Sequence, residues 1–296
     1  MKRIAALLLA LLMLLPAAAG AEKSRVLDLA LSMLEEGNPF LVRYNAENGT
    51  EIAARFPLGC PYFWGGRSVK NILKPASPGQ NSDYYKMDQK YLYGLDCAGF
   101  TRWVGIHMGY TEHDSISRLL SYKTHPDIGI YKALKATGEK RAQALRIGDL
   151  LAIRHTSGGF HIAIYIGTLK SFGYDEKSVP EELAPYLSYP LLIHCTGSIE
   201  YQERYRAYLE ETGQEDLIPP FGGVIVTILD VPPEAAPMKT ADGDGVEIPC
   251  FELEGYHLQV TDLTAERTYR FVRWKKRPEK KEEQTGQQTE SQTNQP

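Results

Sequence analysis

The chain has 296 residues, a formal net charge of −4, a pI near 6.0, and 43% hydrophobic against 24% charged residues. Its mild acidity excludes the basic footprint of a nucleic-acid binder, and its length allows one large domain or two small ones.

Residues 1–21 read as a secretory signal. Lys2 and Arg3 form the charged start, residues 4–15 the apolar core, and Ala19-Gly20-Ala21 the small-residue cleavage site. The apolar run is short of the roughly 20 residues of a membrane span, and no cysteine follows to take a lipid. An uncleaved anchor is the alternative. Cleavage predicts a mature chain from Glu22 that works outside the cytoplasm with no membrane attachment.

The spacing predicts an amphipathic helix over 24–34. Val26, Leu27, Ala30 and Leu34 share a face, Ser24 caps it, and Gly37 with Pro39 stops it. An aromatic cluster ended by glycines follows, Pro61-Tyr62-Phe63-Trp64-Gly65-Gly66. Residues 67–93 are polar and tyrosine-rich, which predicts a long loop or insertion. From Cys97 the apolar positions Phe100, Trp103, Val104 and Met108 form one helical stripe closed by Gly109. A short helix is expected over 115–120.

Strands are expected over 150–153, 160–167, 190–195 and 224–229, with closing strands over 258–260 and 269–274, the first three as an antiparallel meander. Residues 198–212 read as helix and 231–246 as loop. The Asp242-Gly243-Asp244-Gly245 run does not complete a calcium-loop pattern. Residues 275–296 are charged, then Gln/Thr-rich, and should be disordered.

Asp96-Cys97-Ala98-Gly99 opens the Phe100 stripe. A cysteine in the first turn of a helix sits among backbone N–H groups that lack helical partners, an environment that favours the reactive thiolate. Such a nucleophile needs an imidazole base and a group to hold it. His161 starts the 160–167 strand after a glycine turn. There His161, Ala163 and Tyr165 alternate with the core face of Ile162, Ile164 and Ile166, and the small Ala163 leaves room for another backbone or a substrate. His194 alternates with Ile193 and Cys195, so an adjacent strand would bring the two imidazoles together. His155 could flank the site. His107, His113, His125 and His257 read as ordinary histidines. Cys195 reads as core, and if Cys97 is a working thiol, Cys60, Cys195 and Cys250 supply at most one disulfide. No C-x-x-C or H-x-x-x-H spacing supports a metal, and no cofactor is expected.

Five blocks in order resemble the NlpC-type cell-wall cysteine peptidases: residues 61–66, then 96–100, then Gly148-Asp149-Leu150, then 161–167, then Ile193-His194. The resemblance implies an α+β, papain-like fold, with the nucleophile helix packed on a central antiparallel sheet, in one domain over 22–274. It implies a catalytic Cys97–His161–His194 set, with Tyr62 and Asp96 as the oxyanion or substrate-binding residues. The Tyr62 hydroxyl and the Cys97 backbone N–H would form the oxyanion site. The implied substrates are peptidoglycan stem peptides, cut between D-glutamate, through its γ-carboxyl, and the diamino acid by a protein expected to be a monomer. Ala98 stands where the family usually has serine. The segments 67–93 and 168–190 read as insertions bordering the cleft. A related amidase cutting the sugar–peptide linkage, or a catalytically inactive wall-binding module, is the alternative.

Overall fold

The computed structural model describes residues 20–34, 42, 46, 60, 62, 66, 95–110, 115–121, 128–131, 135–156, 158–196, 223–240, 247–254, 256–261, 263–264 and 267–274. Expectations for the signal core, for Trp64, for 67–93, 198–212 and 242–245, for His113 and His125, and for the 275–296 tail lie outside these residues.

Among the described residues, alternating apolar segments pair into one nine-stranded sheet. The strands are β1 (Ile128–Tyr131), β2 (Leu150–Arg154), β3 (Phe160–Gly167), β4 (Leu191–Thr196), β5 (Gly223–Leu229), β6 (Met238–Thr240), β7 (Glu247–Leu253), β8 (Tyr256–Thr261) and β9 (Thr268–Trp274). Their spatial order is β1-β9-β2-β3-β4-β5-β8-β7-β6. The β2-β3-β4 meander is as predicted. The sheet is mixed, however, not wholly antiparallel: β5 and β8 run parallel. The excursion from β5 through β6 and β7 carries the chain back before β8 begins, so β8 enters in the direction of β5.

Among the described residues four helices accompany the sheet: α1 (Gly20–Leu31), α2 (Cys97–His107), α3 (Ile116–Ser121) and α4 (Gly138–Ala144). α1 starts before the expected Ser24 cap, so Ser24 lies inside it. Val26, Leu27 and Ala30 are buried as predicted, and Met33, in the following 3-10 turn, is buried with them. α2 packs on β3 and β4. Its Phe100, Trp103 and Val104 are buried, while Met108 falls at the C-cap and is only half-buried. Gly109, at φ 83°, turns the chain out of the helix in a left-handed conformation that favours glycine.

Both faces of the central strands are covered. Toward α2, Ile162, Ile164 and Ile166 join Phe100, Val104, Ile193, Val226 and Val272 in the larger apolar cluster. On the other face Leu151, Ile153, Ala163, Tyr165, Leu192, Leu229 and Phe271 form a second one. The expected room beside Ala163 is therefore filled: Ala163 is fully buried and stands opposite Leu151 in the β2–β3 register.

Two connections fix how the strands meet. Gly148, at φ 92°, makes the turn into β2. Buried Asp149 accepts the Arg146 N–H (2.9 Å) and is gripped by Arg273 of β9 through two nitrogens (2.5 and 2.6 Å), which ties the start of β2 to its neighbour. The 168–190 segment forms two 3-10 turns, and its Leu169, Val179, Leu183 and Leu187 pack into the larger cluster. It leaves β3 at Gly167, the end of the strand away from His161. This topology sets the segment's departure point apart from the base, where the sequence led us to expect a cleft border.

Candidate active site

Asp96 takes extended backbone angles, and its carboxylate accepts the Gly99 N–H at 2.7 Å, so it is the N-cap of α2. This satisfies one of the N–H groups that the first turn leaves without a helical partner. Cys97 is consequently the first helical residue, as the sequence predicted. Thr101 adds to this end by donating its hydroxyl to the carbonyls of Cys97 and Ala98, at 3.1 and 3.2 Å. Asp96 thus stands next to Cys97 as a structural cap.

The approach to the helix is anchored from three sides. Tyr62 forms an isolated parallel bridge with Leu95, two residues before Cys97, and is buried. The Cys195 thiol donates to the Leu95 carbonyl at 3.0 Å, and the Cys60 thiol also bonds the Leu95 backbone. Cys60 is in turn pinned through its own backbone, donating to the Met33 carbonyl (2.8 Å) and accepting from the Val224 N–H (3.0 Å). Burial pushes the Cys60 and Cys195 thiols well up, so both are held as neutral, unreactive groups. Cys195 is core, as predicted, and it also positions the chain that leads into the nucleophile helix. The four cysteines are buried thiols, with no disulfide among them.

The two histidines meet. His161 Nε2 lies 2.8 Å from His194 Nδ1, and the rings sit edge to face with centroids 4.8 Å apart. The strand register explains the contact. β3 and β4 pair through Ile164↔Ile193 and Tyr165↔Leu192, which makes His161 and His194 diagonal neighbours on one face near the start of β3. Both are buried, at 8% and 2% exposure. Burial lowers the pKa of His194 to about 3, so it is a neutral ring. His161 is also held well below the ordinary histidine value, by burial first and then by His194, His155 and Arg267. His155 flanks the pair, with its ring 6.4 Å from that of His161.

Sequence reasoning missed one member of this group. Thr227, fully buried on β5, places Oγ1 2.8 Å from His194 Nε2. The register Leu192↔Thr227 and His194↔Ile225 makes it the diagonal neighbour of His194 on the same face. His161, His194 and Thr227 therefore run as one line of side chains across three adjacent strands. A signal was present: Thr227 is the single polar side chain within the apolar run 224–229.

Cys97 lies on the α2 side of the sheet, in the same apolar cluster as Cys195, whose side chain points to the face of β4 opposite His194. The Cys195 thiol lies within electrostatic reach of both Cys97 and Asp96. The remaining described histidine with side-chain detail, His107, is exposed at the far end of α2 and bonds the Trp103 carbonyl through Nδ1 (2.8 Å), which keeps it apart from the pair. Among the described residues no group of three His, Cys, Asp or Glu side chains could hold a metal ion, and no helix is long and apolar enough to cross a membrane.

No curated protein and no solved structure matches the chain. The model of the NlpC/P60 family matches residues 59–184. That span holds Tyr62, Asp96, Cys97, Gly148-Asp149 and His161, and stops short of His194 and Thr227. With the helix-opening cysteine and the strand-borne histidine both inside the match, residues 59–184 of this chain are similar to the NlpC/P60 family.

Proposed function

We propose that the chain is an extracytoplasmic cysteine endopeptidase that hydrolyses peptidoglycan stem peptides at the γ-D-glutamyl–diamino acid bond. The family generally comprises cysteine peptidases and amidases acting on peptidoglycan. The observation that carries the reading is the buried His161–His194 hydrogen bond. It engages Nε2 of His161 and leaves Nδ1 as the nitrogen for a substrate-side proton, in a fold we read as papain-like.

In this mechanism the Cys97 sulfur attacks the amide carbonyl while its proton passes to Nδ1 of His161. The carbonyl oxygen becomes an oxyanion, met by the Cys97 backbone N–H at the start of α2 and by the Tyr62 hydroxyl. Asp96 keeps the helix start in place beside it. His161 then gives its proton to the leaving amine, and the C–N bond breaks to leave a thioester on Cys97. A water, deprotonated by His161, attacks the thioester and releases the new carboxylate with Cys97 restored. His194 keeps the His161 ring oriented through both halves.

Digestion of purified peptidoglycan by the mature protein, with mass spectrometry of the fragments, tests this. The expected products carry a γ-D-glutamyl carboxyl end and a diamino acid with a new free amine. Release of intact stems beginning with L-alanine would instead establish an amidase. Cys97→Ala and His161→Ala should abolish hydrolysis with the circular dichroism spectrum unchanged, and His194→Ala should slow it more mildly. Full activity in folded Cys97→Ala would refute the proposal.

A further inference from the structure

We propose that Thr227 is a positioning residue that sets the tautomer of the base, acting as hydrogen-bond acceptor for His194 and, through it, fixing which nitrogen of His161 carries the proton. The inference rests on the peptidase reading, since it concerns what His161 must be able to accept.

The logic follows the protons along the line of three side chains. A neutral imidazole carries one N–H and one lone pair. To take a proton from Cys97, His161 needs its lone pair on Nδ1 and therefore its hydrogen on Nε2. That hydrogen points at His194 Nδ1, 2.8 Å away, which must then be an acceptor. His194 consequently carries its own hydrogen on Nε2, directed at Thr227 Oγ1, also 2.8 Å away. The opposite chain, in which the Thr227 hydroxyl donates, puts hydrogens on His194 Nδ1 and on His161 Nδ1. His161 then has no lone pair facing the nucleophile.

A hydroxyl oxygen at this point permits the productive direction because it can accept from His194 Nε2–H in a place where water does not reach. Thr227 and His194 are 0% and 2% exposed. Without the oxygen, a hydrogen on His194 Nε2 would be a buried donor with no partner, a worse state than a buried lone pair. His194 would then move its hydrogen to Nδ1 and donate to His161 instead. Thr227→Val is the matching perturbation: it keeps the β-branched shape and removes only the oxygen.

The test pairs kinetics with ¹⁵N spectra of the imidazoles, His194 being assigned by its loss in His194→Gln. In the wild-type protein His194 Nε2 should give a protonated, pyrrole-type signal and Nδ1 a pyridine-type one. Thr227→Val should exchange the two and lower kcat by about 10-fold to 100-fold with KM little changed, whereas Thr227→Ser should keep both the wild-type spectrum and kcat. A pyridine-type His194 Nε2 in the wild-type protein overturns the inference. So does a Thr227→Val protein with wild-type tautomers, whether or not it is slowed, because slowing alone would mark a merely structural residue. If Thr227→Val does not fold, the wild-type and Thr227→Ser spectra decide. A wild-type protein that cuts no stem peptide refutes the proposed function, while its spectrum still decides the role of Thr227.

Discussion

Lowering the pH should unfold this protein through its buried histidine pair before its carboxylates are protonated. His194 holds a pKa of about 3 in the folded protein, against about 6.5 in an unfolded chain. Its depressed value means the neutral ring's contribution is fully present above pH 6.5 and is lost as the pH falls toward 3. In that window the unfolded chain binds a proton that the folded one refuses, which costs about 1.4 kcal/mol per pH unit. At pH 4.5 the loss from His194 alone is about 3 kcal/mol. His161 is shifted the same way by burial and by its neighbours His194, His155 and Arg267, so it adds to the loss. Such a loss is a large share of the roughly 5–15 kcal/mol that holds a domain folded.

Urea unfolding of the wild-type protein and of His194→Gln, from about pH 7 to pH 4.5, measures the effect. The histidines outside the pair are common to both proteins and cancel in the comparison, while His161, relieved of His194, moves the slope in the same direction. The variant should lose stability less steeply by about one proton, about 1.4 kcal/mol per pH unit. Its absolute stability can fall for other reasons, and only the slope is diagnostic. Parallel slopes for the two proteins would refute the claim that His194 is buried as a neutral ring.

Other outcomes follow from the same geometry. The acid limb of kcat/KM should lie below pH 6.5, because His161 is held down by burial and by His194, His155 and Arg267, and Arg267→Gln should move it upward; a limb above 6.5 would contradict this. A small thiol-alkylating reagent at neutral pH should label Cys97, which is 7% exposed, well before Cys60, Cys195 or Cys250, which are fully buried, and peptide mapping identifies the labelled site. Asp96→Ala should lower stability by about 1 kcal/mol through the lost cap, read by thermal or urea unfolding, and Asp96→Asn should recover most of it.

The helix start and the histidine strands were legible because each is local. Asp96 before Cys97 is a capping signal, and the alternation of His161-Ile162-Ala163-Ile164 assigns the isoleucines to one face. Long-range facts were not legible. Nothing in the run around Thr227 says that β5 lies beside β4 in the one register that brings its hydroxyl to His194. The parallel β5–β8 pairing depends on where the β6–β7 excursion returns. Tyr62 was readable as an aromatic beside glycines, but its bridge to Leu95 joins positions more than thirty residues apart in the chain. Ala163 misled for a related reason: a small residue beside a histidine suggests space, and Leu151 on the neighbouring strand removes it.

That filled space gives the base its properties. A sheet covered on one face alone would leave His161 and His194 in water with ordinary titration. Here the second cluster, with Leu192 two residues before His194 and on its face, seals that side. Desolvation is accordingly the largest cause of the lowered values of both rings. Leu192→Ala tests the connection, because it removes apolar cover next to His194 and opposite Thr227 without touching any polar partner. The truncation should cost about 2–5 kcal/mol of stability. If water enters the space beside the polar rings, the histidine values should rise toward 6.5, which NMR titration of the ring protons would follow. The acid limb of activity should rise with them. A variant that loses stability by this amount while both histidines keep their wild-type titration would show that Leu192 has no part in tuning the base.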